Sequence, residues 1–357
     1  MAMSSCLCFG HCNPRTKRKK RLVCRTMILA FVFLIVGLGV LVKGADFLVD
    51  GAASLAKRVG VSDLTIGLTV VAFGTSMPEL VVNVTSSLSG ATEIAIGNVV
   101  GSNIANILLI LGVSSCITSI AVQTSTVWKE IPFALLASVV LLFMANDTLL
   151  DGYGVAELSR SEGCTLIAFF FIFLWYIAAM RKADPASEDE GIRVRGFWSS
   201  CGFVLAGLAL LVGGGKLTVD GAVTIAAALG ISQALVGLTI VAVGTSLPEL
   251  ATSVVAARKG RADIAVGNIV GSNIFNIFWI LGVSSVIAPL PFRPEMNVDL
   301  LVTVAATLLL FFAVHTGFVH RRLLFWKQRQ NHVIERLDGI MMLAAYAAYV
   351  AYLAWRG

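Results

Sequence analysis

Charge is scarce in this sequence. Of 357 residues, 13% are Asp, Glu, Lys or Arg and 57% are hydrophobic, whereas a soluble protein carries about 25% charged residues. The shortage excludes an ordinary soluble domain. Sustained hydrophilic sequence is equally rare. The one internal stretch, Arg181 to Arg195, is far too short to fold alone. A disulfide framework is missing too. Cys6, Cys8, Cys12 and Cys24 lie in the N-terminal tail, and Cys116, Cys164 and Cys201 lie at or near apolar segments. Cys6, Cys8, His11 and Cys12 lack the spacing of a zinc pair-of-pairs. No nucleophile–base or cofactor constellation appears, so an enzyme is disfavoured. Short alternating segments of ~10 residues, the mark of a membrane β-barrel, are absent.

What fills the chain is a set of unbroken apolar runs, and ~20 helical residues cross a bilayer. The fold class is therefore an all-α polytopic membrane protein. Ten segments are expected: about Met27–Ala56, Leu64–Ser89, Thr92–Ile120, Ile131–Asn146, Cys164–Met180, Gly196–Ala228, Ala234–Ala257, Ala262–Ala288, Val298–Phe318 and Asp338–Trp355. Trp128, Trp198 and Trp355 fall at segment ends, as interfacial aromatics do. Residues 1–26 form a basic, cysteine-containing tail with Arg15, Lys17, Arg18, Lys19, Lys20, Arg21 and Arg25. It reads as a solvated tail beside anionic lipid headgroups. No folded basic domain accompanies it, so nucleic acid is not an expected partner.

The second half repeats the first at an offset of 170. Gly67 to Leu80 (GLTVVAFGTSMPEL) returns as Gly237 to Leu250 (GLTIVAVGTSLPEL), identical at eleven of fourteen positions. Ala95 to Ser115 matches Ala265 to Ser285 at sixteen of twenty-one. Asp50 maps to Asp220, Glu79 to Glu249, Ser102 to Ser272 and Asn106 to Asn276. Two greasy helices that resemble each other by chance do not keep small, polar and acidic positions in step over such a length. Five segments per repeat is an odd number, so consecutive repeats enter the membrane in opposite orientations. The expectation is two inverted five-helix repeats, 27–181 and 196–357, joined by the linker 182–195, with a substrate site near the midplane between them. Outside the tail, basic residues gather on the linker side: Lys57, Arg58, Arg181, Arg193, Arg258, Lys259, Arg261, Arg321 and Arg322 among them. That distribution places the linker in the cytoplasm.

The motif carries the chemistry. On a helix Thr75 and Glu79 are i and i+4 and share a face, with Ala72 one turn earlier. Pro78 has no N–H for the carbonyl of Gly74 and clashes with it, so the helix kinks and carbonyls around Ala72 to Thr75 are freed. Ala242, Thr245, Pro248 and Glu249 repeat the arrangement. Ser102 and Asn106 are again i and i+4, as are Ser272 and Asn276. An isolated membrane Ser or Asn is as readily a helix-joining contact as a ligand. A glutamate at a helix centre is different: it costs ~2.5–3.5 kcal/mol or more and is functional by default. The pooled donors are all oxygens, which suit hard cations such as Ca2+ and Na+. One divalent ion balances two glutamates, and so do two or more monovalent ions on the same oxygens.

Two Gly-Thr-Ser-hydrophobic-Pro-Glu motifs and two Gly-Asn-X-Val-Gly-Ser-Asn-Ile-X-Asn motifs, in this order, resemble the repeats of the cation/calcium antiporter superfamily. The likeness is to sodium/calcium exchangers of the prokaryotic type and covers nearly all of the chain from Met27. It implies Ca2+ and Na+ as transported substrates, no cofactor, and ion sites clustered between segments two, three, seven and eight in a multi-pass plasma-membrane protein. It further implies that Glu79 and Glu249 are shared by both ions. Thr75, Thr245, Ala72 and Ala242 lend carbonyls, Ser76, Ser102, Ser246 and Ser272 lend hydroxyls, and Asn106 and Asn276 fill the remaining polar position. Asn276, where potassium-dependent members carry Asp, weakens a potassium requirement. The short linker leaves no room for the large regulatory domain of animal exchangers. A H+/Ca2+ exchanger and a glutamate-lined cation channel stand as alternatives.

Overall fold

The computed structural model describes residues 14–90, 92–146, 152, 156–179, 195–228, 242–316 and 332–356. These residues are almost entirely helical. The helices are α1 (Pro14–Val59), α2 (Asp63–Thr75), α3 (Met77–Leu88), α4 (Ala95–Ile117), α5 (Thr126–Met144), α6 (Arg160–Ala179), α7 (Phe197–Ala228), α8 (Ala242–Thr245), α9 (Leu247–Arg258), α10 (Ala262–Ile287), α11 (Met296–Thr316) and α12 (Arg336–Arg356). Eight of them are long and apolar enough to cross a membrane, and α2 with α3 makes a ninth, bent span. The segment expected at Ala234–Ala257 is described only from Ala242, and most of the linker lies outside the described residues. So do tail residues 1–13 and the basic positions Arg321 and Arg322.

The first helix is already present at Pro14, the first described residue, and the membrane-length apolar span within it starts at Arg25, close to the expected Met27.

α1 packs along α7, and glycine decides how closely. Gly37, Gly44 and Gly51 recur every seventh residue, and their counterparts Gly207, Gly214 and Gly221 do the same. A Cβ on Gly207 would lie 2.5 Å from the Leu48 amide nitrogen, and one on Gly44 2.8 Å from that of Leu211. Gly37 meets Gly214 and Thr218, whereas Gly51 meets Ser200 and Val204. The two helices therefore run antiparallel with their backbones in contact. In a bilayer, where water drives no helix association, such close approach supplies the packing.

The other spans enclose α4 and α10, whose most apolar windows are 72% and 94% buried, against 17% for α12 at the periphery. Polar side chains on α4 and α10 are thereby withheld from lipid. One apolar core gathers around these two helices with α5, α6 and α11. A second joins α1 to α9 through Ala45, Leu48, Val49 and Ala52 against Ala251, Val255 and Ala256. Two short antiparallel strand pairs tie the loops. β1 (Ile120–Val122) pairs with β4 (His332–Ile334), and β2 (Glu157–Leu158) pairs with β3 (Leu290–Pro291).

A candidate cation site between the repeated motifs

The repeated motif is a broken helix in both copies. α2 meets α3 at a 46° bend, with Ser76 at φ −84°, ψ 10°. Ser246 stands between α8 and α9 at φ −87°, ψ 7°. Pro78 and Pro248 fall in the first turn of the following helix, where a missing N–H is harmless. The break therefore lies at the serine, slightly later than the proline alone suggests. One carbonyl expected to be free is engaged: that of Ala72 accepts the Ser76 N–H at 3.1 Å and the Thr75 hydroxyl at 3.4 Å. Ala242 opens α8.

Wide-turn helix, closed by i to i+5 hydrogen bonds, appears at Gly67–Val71, Ala105–Leu111 and Asn276–Leu281. Such bulges often mark functional sites. Asn106 and Asn276 lie at the head of two of them, a placement no sequence periodicity announces.

The motif side chains converge across the repeats. Ser76 donates to Glu249 at 2.8 Å and to Ser272 at 3.0 Å. Ser246 donates to Glu79 at 3.1 Å and to Ser102 at 3.2 Å. Each motif serine thus serves the other motif's glutamate. Thr245 neighbours Glu79 and Thr75 neighbours Glu249. Both carboxylates are 1% exposed, and Asn106 and Asn276 are equally buried.

Four oxygens in this cluster have no hydrogen-bond donor among the described residues: Oε2 of Glu79, Oε2 of Glu249, Oδ1 of Asn106 and Oδ1 of Asn276. The two amide oxygens only accept, and so do the two glutamate oxygens in the ionised form. A buried acceptor left unpaired costs about 1–3 kcal/mol, and more when charged. Four such atoms, related in pairs by the 170 offset, are a candidate donor set for a cation. No three His, Cys, Asp or Glu residues come together among the described residues. The set therefore combines two carboxylates with neutral oxygens, the composition that hard cations accept.

Several surrounding residues escaped the sequence reading. Thr75 donates to Asn268 Oδ1 at 3.0 Å, and Asn268 in turn donates to Ser253 at 2.9 Å. In the first copy Asn98 donates to Asn83 at 3.2 Å. Asn83 is fully buried, so its Asn-Val-Thr sequon is not a glycosylation site. Asn103 and Asn273 bridge α4 and α10. The signal for Asn98, Asn103, Asn268 and Asn273 was present, since each recurs at the offset inside a conserved-length motif. Outside the site, Glu130 is buried and accepts from the Tyr176 hydroxyl, and Asp299 takes Arg356 and Tyr349.

A crevice of about 670 Å3 opens between α7 and the first broken helix. Leu208, Val212 and Lys216 form one wall, Pro78 and Val81 the other, and Thr245 of the second motif also lines it.

The sequence pattern of the sodium/calcium exchanger protein family matches residues 29–179 and 199–355. The chain belongs to the sodium/calcium exchanger family. Among relatives of this exchanger, the putative antiporter CaxA of Alkalimonas amylolytica is 38% identical over 90% of this chain and 98% of its own. The sodium/calcium exchanger MaX1 of Methanosarcina acetivorans is 36% identical over 90% and 98%. Among solved structures, the sodium-calcium exchanger NCX_Mj soaked with 10 mM Na+ and zero Ca2+ superposes with a TM-score of 0.76. It is 34% identical, with 91% of this chain and 99% of that one covered. The exchanger is thus a multi-pass membrane transporter of the cation-antiporter type, and its relatives are transporters rather than enzymes.

Proposed function

We propose that this exchanger is a Na+/Ca2+ antiporter of the cell membrane in which Ca2+ and Na+ compete for one site built on Glu79 and Glu249. The observation that carries this reading is the set of four donor-less buried oxygens on Glu79, Glu249, Asn106 and Asn276. Two carboxylates hold one Ca2+ at neutrality, and several Na+ ions replace it on the same oxygens. Ser76, Ser102, Ser246 and Ser272 supply hydroxyls for Na+. The carbonyls of Thr75, Ala242 and Thr245 complete the shell at the two helix breaks, and that of Ala72 joins them only by giving up its bonds from Ser76 and Thr75.

The architecture that goes with this function is ten helices in two inverted repeats. Supporting it, α1 runs antiparallel to α7, its copy at the 170 offset, and the motif serines exchange partners reciprocally. Alternating access is supported by an asymmetry between the repeats. On one side α1 is packed on α9 through Val49, Ala52, Val255 and Ala256. On the other, α7 stands off α3 across the crevice.

A charge difference accompanies that asymmetry. Lys259, after α9, reaches Asp50 at 2.7 Å and Asp46 at 3.1 Å on α1. At the offset, Lys216 stands in place of Asp46 and Ser89 in place of Lys259, so α7 and α3 lack the equivalent pair. These side chains are 31–41% exposed, where an ion pair is worth ~0–1 kcal/mol. Lys259→Ala is therefore expected to raise hydrogen exchange in residues 46–56 by roughly two- to fivefold. Unchanged exchange there removes Lys259 as a latch between α1 and α9.

The deciding experiment is 45Ca2+ flux in reconstituted vesicles under an imposed Na+, K+ or H+ gradient. Uptake driven by outward Na+ alone is the expected result. Flux that follows a H+ gradient and ignores Na+ assigns the exchanger to proton coupling instead. Flux needing no counter-ion makes it a channel.

A further inference from the structure

An asparagine can offer a cation either its oxygen or its –NH2, and only the oxygen binds. From the hydrogen bonds between α4 and α10 we infer that Asn103 and Asn273 are positioning residues that fix which end Asn276 and Asn106 present. The inference rests on the cation-site reading above and concerns residues outside the proposed ligand set.

Two backbone carbonyls, which only accept, anchor this network. Asn103 Nδ2 donates to the carbonyl of Asn273 at 3.2 Å, so the –NH2 end of Asn103 has to face that way. Its Oδ1 is then turned toward Asn276. Only the –NH2 of Asn276 pairs with an acceptor, and it does so at 2.9 Å. Oδ1 of Asn276 is consequently directed elsewhere, and it is one of the four donor-less oxygens. The mirror series holds for the other copy. Asn273 Nδ2 donates to the carbonyl of Asn103 at 3.3 Å, and Asn106 Nδ2 donates to Asn273 Oδ1 at 2.9 Å. Oδ1 of Asn106 is left without a donor.

Asn103 and Asn273 are 0% and 3% exposed, so water does not compete for these bonds. Orientation thus passes from an invariant acceptor, through one amide, to the next. Each repeat sets the amide of the other: Asn103 on α4 orients Asn276 on α10, and Asn273 on α10 orients Asn106 on α4. Partners that orient a metal's ligands typically change affinity by 10–100-fold when removed.

Asn103→Leu keeps the volume and deletes both bonds. The expected result, in reconstituted full-length exchanger, is a KM for Ca2+ raised roughly tenfold or more with the maximal rate little changed. Packing loss alone can also raise KM, so a second substitution separates the two roles. Asn276→Asp presents oxygen whichever way it turns and needs no orienting partner. In the Asn276→Asp background, Asn103→Leu is therefore expected to leave KM where Asn276→Asp alone sets it. The same KM increase in both backgrounds, or no increase in either, overturns the positioning role. Where Asn103→Leu does not fold, Asn273→Leu paired with Asn106→Asp runs the identical comparison on the other arm. Loss of transport in Glu79→Gln beside an unaffected Asn103→Leu rejects the positioning role and leaves the antiporter standing. Full transport in Glu79→Gln removes the site reading itself.

Discussion

Glu79→Gln and Glu249→Gln are each expected to reduce Na+-driven Ca2+ uptake to the vesicle background. The substitution keeps size and hydrogen-bonding shape and removes one of the two charges proposed to balance a divalent ion. Truncating one member of a buried, hydrogen-bonded charge arrangement costs about 2–5 kcal/mol. A value near 3 kcal/mol is roughly a hundredfold in affinity, enough to take a micromolar site out of range. Both variants are expected to fold, because Ser246 and Ser76 donate to an amide oxygen as readily as to a carboxylate. The two single variants are expected to resemble each other, since the glutamates hold equivalent places and are equally buried. Wild-type uptake in both, measured at matched protein incorporation, shows that the carboxylates are not the transport site.

The second large effect is structural. Gly207→Ala is expected to lower the thermal midpoint of the detergent-solubilised exchanger and to impair transport with it. The added Cβ would stand 2.5 Å from the Leu48 nitrogen and 2.8 Å from the Gly44 carbonyl oxygen, both backbone atoms that cannot rotate away. Overpacking of this kind costs about 1–3 kcal/mol, and here it forces α1 away from α7. Gly39→Ala is the internal control. It lies on α1 between Gly37 and Gly44 and has nothing within 4 Å of the new atom. Equal midpoints for the two variants contradict the close backbone contact. Equal transport with a lowered Gly207→Ala midpoint confines the glycines to stability.

Much of the fold was legible because its signals are local. Apolar runs between turns give the spans, and their observed ends fall within a few residues of expectation for α4, α6, α7, α10 and α12. α5 starts at Thr126, five residues before expectation, and the helix of α1 is already present at Pro14, in a basic stretch without an apolar pattern. The seven-residue glycine spacing at 37, 44 and 51 was equally present in the sequence. Its partner was not, because spacing on one helix names neither the facing helix nor its direction. The wide helical turns at Ala105–Leu111 and Asn276–Leu281 left no trace in composition. They arise where the chain inserts a residue into a turn to suit its neighbours.

The candidate site divides along the same line. By itself the sequence determined that two costly glutamates exist, that each sits behind a serine and a proline, and that the two motifs are copies 170 residues apart. Tertiary structure alone decided that Ser76 serves Glu249 and Ser246 serves Glu79, that Asn276 pairs with Asn103 and Asn106 with Asn273, and that α1 is closed on α9 while α7 stands off α3. The reason is physical. Helix propensity, proline geometry and the expense of a membrane charge act within one or two turns and can be read from neighbours in the chain. A hydrogen bond between residues 167 to 196 positions apart depends on how the two copies are turned toward each other, which packing of the whole molecule determines.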